Sequence, residues 1–290
     1  MTRFYKTLGL VALLLNSANS FSQELIKVKL QNQYFPTFLN VRITAPFKIF
    51  LDFDDYKNYP QKPKMWLGKL HFQKEQFWYN ESKKNTSTAE FYQDLLLKNN
   101  IDTSNLSDNE IKCYVGVFVG ISGTKKTIIV DANNNHDFKD DMLSEYDMTD
   151  IGAYNDEFKN RLPVFKVEYQ YYDKKIFDKV EYLQISPADN AYNYENPEEI
   201  DKAVYFIAFN NNHGTFNVGT EKYKIMVSNL YRWPIHTLNE VYYTVKKISE
   251  SHNSKDLYKY NQSIQIENHT FEVIEYDFAN DYITLRITEK

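Results

Sequence analysis

The chain has 290 residues, 34 basic and 39 acidic side chains for a net charge of −5, and 47 aromatics (24 Tyr, 20 Phe, 3 Trp) against eight glycines and eight prolines. This composition excludes a disordered polymer and argues against a basic nucleic-acid-binding or anionic-membrane-binding surface. The single cysteine, Cys113, excludes an internal disulfide and a CxxC redox pair.

The N-terminus reads as a secretory leader. Arg3 and Lys6 precede the apolar run Leu8–Leu15, and the small residues Ala18, Ser20 and Ser22 offer cleavage after Ser20 or Ser22. Eight apolar residues reach only about 12 Å as a helix, too short for a bilayer core. No cysteine lies near the cleavage site, so no lipid anchor is expected there. Cleavage leaves 32 bases against 39 acids, a charge of −7. No later run approaches eighteen apolar residues, so no transmembrane segment is expected in the mature chain. The expected location is secreted or periplasmic.

Period-two alternation then recurs along the chain. It runs through Ile26, Val28 and Leu30; Val41, Ile43 and Ala45; and Phe47, Ile49 and Leu51. It returns through Phe165, Val167, Tyr169 and Tyr171, through Tyr223, Ile225 and Val227, and through Ile283, Leu285 and Ile287. Such alternation marks strands with one dry and one wet face. The stretch around Cys113 reads as a buried strand, which makes that thiol a small core residue. The last thirty residues read as a meander, with Ile264–Ile266, Phe271–Tyr276 and Tyr282–Thr288 as its strands. One amphipathic helix is predicted near 87–99: Ser87 and Glu90 suit a capping box, and Phe91, Tyr92, Leu95 and Leu96 recur at helical spacing. The fold class is therefore mostly β, with antiparallel sheets in a β-sandwich or in two β-rich subdomains.

The acidic, proline-interrupted stretch 187–201 is the expected linker. It separates a β-rich domain at 23–186 from a second at 202–290, unless the two are continuous. The segments 123–130 and 219–227 (GTKKTIIV and GTEKYKIMV) echo each other.

The segment with most chemistry follows Ile128-Ile129-Val130. In Asp131-Ala132-Asn133-Asn134-Asn135-His136-Asp137, oxygen side chains fall at positions 1, 3, 5 and 7. A curled loop can converge such alternate oxygens on a hard cation, and D-x-N-x-N opens an EF-hand-type loop. The candidate ligands are Asp131, Asn133, Asn135, Asp137, Asp140 and Asp141, for Ca²⁺ at about 10⁻⁴–10⁻³ M. Two positions depart from that pattern: His136 stands where glycine makes the sharp turn, and Met142 where a glutamate completes the shell. The competing reading is a plain turn, since Asn and Asp tolerate left-handed backbone and bond their own chain.

This loop, with the terminal Phe271–Asp277 and Ile283–Leu285 segments, resembles the β-rich N-terminal region of exported bacterial thioredoxin-like proteins. The resemblance implies a relative of that region. The redox activity does not carry over, because the chain has no CxxC.

No G-x-S-x-G, phosphate loop or HExxH is present, and the six histidines are scattered. Three functions stay open. The first is an exported, non-catalytic binding or scaffold protein with a protein or carbohydrate partner and a calcium loop. The second is a secreted carbohydrate-active hydrolase using unlocated carboxylates, with Trp66, Trp78 and Trp233 as candidate sugar platforms. The third is an accessory component of a periplasmic thiol–disulfide system.

Overall fold

In the computed structural model the described residues are 23–32, 41–43, 55–149, 162–187, 197–208, 212–228, 241–249 and 257–289. The expected leader, the strand expected at 47–51, most of the expected linker, Trp233, His236 and His252 lie outside them.

The alternating segments form antiparallel strands. In chain order these are β1 (Gln23–Lys29), β2 (Gln31–Asn32), β3 (Val41–Ile43), β4 (Lys64–His71), β5 (Tyr114–Ser122), β6 (Lys125–Val130), β7 (Leu143–Asp147), β8 (Val164–Asp173) and β9 (Lys175–Pro187). Then follow β10 (Val204–Ala208), β11 (Asn212–Val218), β12 (Glu221–Ser228), β13 (Tyr242–Lys247), β14 (Tyr258–Lys259), β15 (Ser263–Ile266), β16 (His269–Asp277) and β17 (Tyr282–Glu289). Three short helices are α1 (Lys74–Ser82), α2 (Ala89–Lys98) and α3 (Pro197–Lys202). Among the described residues no helix is long and apolar enough to cross a membrane.

Four sheets result, ordered β1-β17-β16-β15, β14-β13-β12-β11-β2, β3-β10-β9-β8 and β4-β5-β6-β7. The first two face each other across one core, in which Val28, Tyr223, Ile225, Tyr243, Phe271 and Leu285 meet. The last two share another, built from Val117, Val119, Ile128, Phe165, Val167 and Leu183. Each pair is a sandwich whose inward residues come from alternate strand positions. Strand pairing crosses the expected 187–201 division in both directions. Ile26 of β1 stands opposite Leu285 of β17, and β10 adds to β9.

The echoing segments share a turn. Gly123 (φ +59°) and Gly219 (φ +56°) sit in the tight turns of the β5–β6 and β11–β12 hairpins. A Cβ at either would meet nothing within 4 Å, so the left-handed backbone alone selects glycine. Lys179 joins the two sandwiches. Its buried ammonium donates to Phe278 O at 2.7 Å and to Asp281 Oδ1 at 2.6 Å, in the β16–β17 turn.

The β4-β5-β6-β7 sheet is covered on both faces, which is why β5 is apolar nearly throughout (YVGVFVGI). On its outer face lie Tyr56, Leu67, Phe118, Ile129 and Phe138, and a helical cluster of Phe77, Tyr92, Ile111, Cys113 and Tyr114. The helix expected near 87–99 is α2, but the capping box does not form. The helix starts at Ala89 behind Thr88, which makes no side-chain cap bond, so Ser87 falls outside it. Its buried face carries Tyr92 and Leu96, while Phe91 is exposed.

Candidate functional site

Strand β6 carries Ile128–Val130 through the core and delivers the chain to Asp131, whose amide donates to Gly116 O at 3.0 Å. The fully buried Asp131 carboxylate accepts from the Asn135 amide at 3.0 Å and the His136 amide at 3.1 Å. That curls the chain back on itself. The bend needs left-handed backbone at Asn134 (φ +55°) and His136 (φ +62°). His136 is the sixth residue of the loop, where glycine turns an EF-hand-type loop. The departure at this position is thus one of residue type and not of backbone conformation.

Beyond the bend, each side-chain oxygen caps an amide two residues on. Asn133 Oδ1 accepts from Asn135 N (3.2 Å), Asn135 Oδ1 from Asp137 N (2.8 Å) and Asp137 Oδ1 from Lys139 N (3.0 Å). These are Asx-turns, the chemistry of the plain-turn reading. The amide nitrogens of Asn133 and Asn135 converge on the Asp140 carboxylate at 2.9 and 3.1 Å. Asp141 reaches back to the start of the loop, where its Oδ1 accepts from Ala132 N at 3.0 Å. Its Oδ2 is buried without a hydrogen-bond partner. All six expected residues, Asp131, Asn133, Asn135, Asp137, Asp140 and Asp141, belong to this one mesh.

Three residues that the sequence did not single out hold the loop in place. The Tyr56 ring stacks on His136 (centroids 4.7 Å apart) and on Phe138 (5.2 Å). It lies flat over Gly116, where a Cβ would come within 2.4 Å of the ring. Asn58 Nδ2 donates to both oxygens of Asp137, at 2.8 and 3.0 Å. Lys112 Nζ donates to Asn134 O at 2.8 Å. Asn58 is 79 residues from its partner, a separation that carries no local sequence signal.

Electrostatically the loop is short of positive charge. Burial raises the Asp131 carboxyl above its ordinary range, against the pull of the His136 and Asn135 amides and of His136 and Lys112. Asp141 is pushed up to about 6, first by burial; the Ala132 amide opposes this, and the charges of Asp131, Asp140 and Asp137 add to it. Burial lowers the His136 imidazole from its ordinary range, against the charge of Asp131. Among the described residues no three His, Cys, Asp or Glu side chains converge as a ready-made metal site. A hard cation also draws on amide and carbonyl oxygens. The Asp131 oxygens and Asp141 Oδ1 accept one bond each and Asp141 Oδ2 none, whereas Asp137 Oδ1 and Asp140 Oδ2 already accept two.

Beside the loop a pocket of about 420 Å³ opens toward the β8–β9 hairpin, with Asn133 and Asn134 on one wall. It carries the carboxylates Glu168 and Asp178, but no tryptophan lines it. Trp66 is buried in the core, and Trp78 is half-buried with the Lys74 ammonium 4.3 Å from its ring centroid. Neither offers a free sugar platform.

A second polar cluster lies under α1. The buried Glu81 carboxylate is bridged by Lys84 (2.8 Å) and Lys69 (3.5 Å), and Lys69 Nζ also lies 4.9 Å from the Tyr114 ring centroid. Its charges answer one another internally. Cys113 is fully buried and its thiol is pushed far up by burial, so it is inert as a nucleophile.

Comparison with protein-family models, with curated proteins and with solved structures finds no match to this chain.

Proposed function

We propose that this is an exported, non-catalytic β-rich binding or scaffold protein whose 131–141 loop binds Ca²⁺ weakly. Export rests on the leader at 1–22, and the non-catalytic reading on the lack of any nucleophile or metalloenzyme motif. The observation that carries the calcium reading is the Asp141 carboxyl. It is raised to about 6 by burial and by three neighbouring aspartates, and one of its oxygens is buried without a partner. A divalent cation beside Asp141 supplies the missing charge, and Asp131 and Asp140, with oxygens of Asn133, Asn135 and Asp137, draw in around it on binding. The incomplete shell, with Met142 in place of a closing glutamate, sets the affinity at about 10⁻⁴–10⁻³ M.

Calorimetric titration of Ca²⁺ into residues 23–290 tests this, with an Asp131→Ala, Asp137→Ala variant as control. Saturable binding that disappears in the variant supports the reading. Absence of heat up to several millimolar Ca²⁺ leaves the loop as a turn.

A further inference from the structure

The pocket beside the loop is built from three parts of the molecule. One wall is the loop itself, at Asn133 and Asn134. The floor is the outward face of β8 and β9, where Gln170 stands opposite Asp178 and Glu168 opposite Val180. The corner is closed by backbone bonds from the β8 edge: Glu168 N to Ala132 O at 2.8 Å and Gln170 N to Lys112 O at 2.7 Å. Lys179, at the inner end, ties it to the second sandwich.

The charges lining the pocket balance, Lys112 and Lys179 against Glu168 and Asp178. Lys112 is bonded to Asn134 O (2.8 Å), and Lys179 to Phe278 O and Asp281. Glu168 is paired with Lys166 (3.0 Å), and Asp178 accepts from Gln170 Nε2 (3.3 Å). An anionic or cationic ligand would therefore find no net counter-charge in the lining. Four planar polar side chains (Asn133, Glu168, Gln170 and Asp178) nevertheless line the space, each able to donate to or accept from a pair of neighbouring hydroxyls. Its volume lies at the small end of ligand pockets.

We propose that this pocket binds a neutral, hydroxyl-rich ligand of one or two sugar units, free or at the end of a glycan. Asn133 belongs both to the pocket wall and, through its 2.9 Å bond to Asp140, to the loop. A cation drawing on Asp140 resets that wall, so ligand affinity depends on Ca²⁺. This coupling rests on the calcium reading; the pocket does not.

The test is a protein-observed NMR titration of the leaderless chain with maltose, cellobiose and N,N′-diacetylchitobiose, each in millimolar Ca²⁺ and in EGTA. Soluble starch and hydroxyethyl cellulose serve as polymeric counterparts, and citrate and inorganic phosphate as charged controls. The expected result is saturable shifts at Gln170 and Val180 with at least one disaccharide. A Glu168→Ala, Asp178→Ala variant, altered only at exposed positions, should bind at least tenfold more weakly. Binding of a polymer but no disaccharide identifies a glycan end as the ligand and supports the pocket. Equal binding in Ca²⁺ and EGTA keeps the pocket and removes the coupling. No shift with any saccharide, binding unchanged in the variant, or binding of citrate or phosphate instead overturns the proposal, whatever the calcium titration shows.

Discussion

Replacing Asp131 with alanine removes the carboxylate that accepts from two part-buried amides at the bend, that of His136 and that of Asn135, the latter also bonded to Asn133 Oδ1. A donor left unpaired away from water costs about 1–3 kcal/mol, and the His136 amide is the one that loses its partner, since Asn135 N keeps its bond to Asn133 Oδ1. Part of that is returned. The raised pKa of Asp131 shows that burial works against its charge, and the variant no longer buries a carboxylate. The expected net loss is about 1–2 kcal/mol. Asp131→Asn, which keeps one acceptor oxygen, should lose roughly half as much. Urea denaturation at pH 7 in EGTA measures this without any contribution from metal, since the midpoint moves while the slope stays fixed. A loss under about 0.5 kcal/mol for Asp131→Ala, the range of an ordinary surface change, would refute the claim that this carboxylate organises the loop.

Two further expectations concern packing and charge. Gly116→Ala places a Cβ 2.4–2.6 Å from the Tyr56 ring and hydroxyl, and that ring is stacked on His136 and Phe138. Overpacking of this kind costs about 1–3 kcal/mol, whereas Gly123→Ala, with open space but φ +59°, should cost about 1 kcal/mol; the same urea assay compares them. Lys126 is fully buried, donates to Ile200 O and Ala203 O at 3.0 and 2.6 Å, and is pushed down to about 7 by burial, against the charge of Asp201. Asp201 is itself bridged by Lys64 at 2.8 Å. Between pH 7 and about 10.5 the unfolded lysine binds the proton that the folded one has lost, so stability rises with pH there, by at most about 1.4 kcal/mol per unit, and levels off below 7. Lys126→Met should abolish that slope; an identical slope in both proteins would refute the assignment.

Strands with one wet face could be read directly: β8, β12, β16 and β17 follow their alternation. Others could not, for identifiable reasons. Helix α1 has no apolar stripe because, Phe77 apart, the residues it buries are polar. Gln76 donates to Asn80 Oδ1 and exchanges bonds with the backbone of Ser107, and Asn80 Nδ2 donates to Ile111 O. The partner of β1 lies more than 250 residues away, and no local pattern encodes Ile26 opposite Leu285. The candidate loop was legible as a run of alternating oxygens, since that pattern is local. Tyr56, Asn58 and Lys112 were not, because their contacts with it are made by the fold. Nor does sequence give the φ of +62° at His136, which comes from the buried Asp131 carboxylate drawing in the next turn.

The most direct test of the account is to locate calcium on the molecule by following backbone amide signals of residues 23–290 as Ca²⁺ is added. The account predicts that Ala132, Asn135, His136, Asp137 and, across the contact, Asn58 shift together with one dissociation constant of about 10⁻⁴–10⁻³ M. It also predicts that Asp141→Asn weakens that response. Shifts scattered over surface carboxylates, or none at these amides up to 10⁻² M, about ten times the upper constant expected, would contradict it.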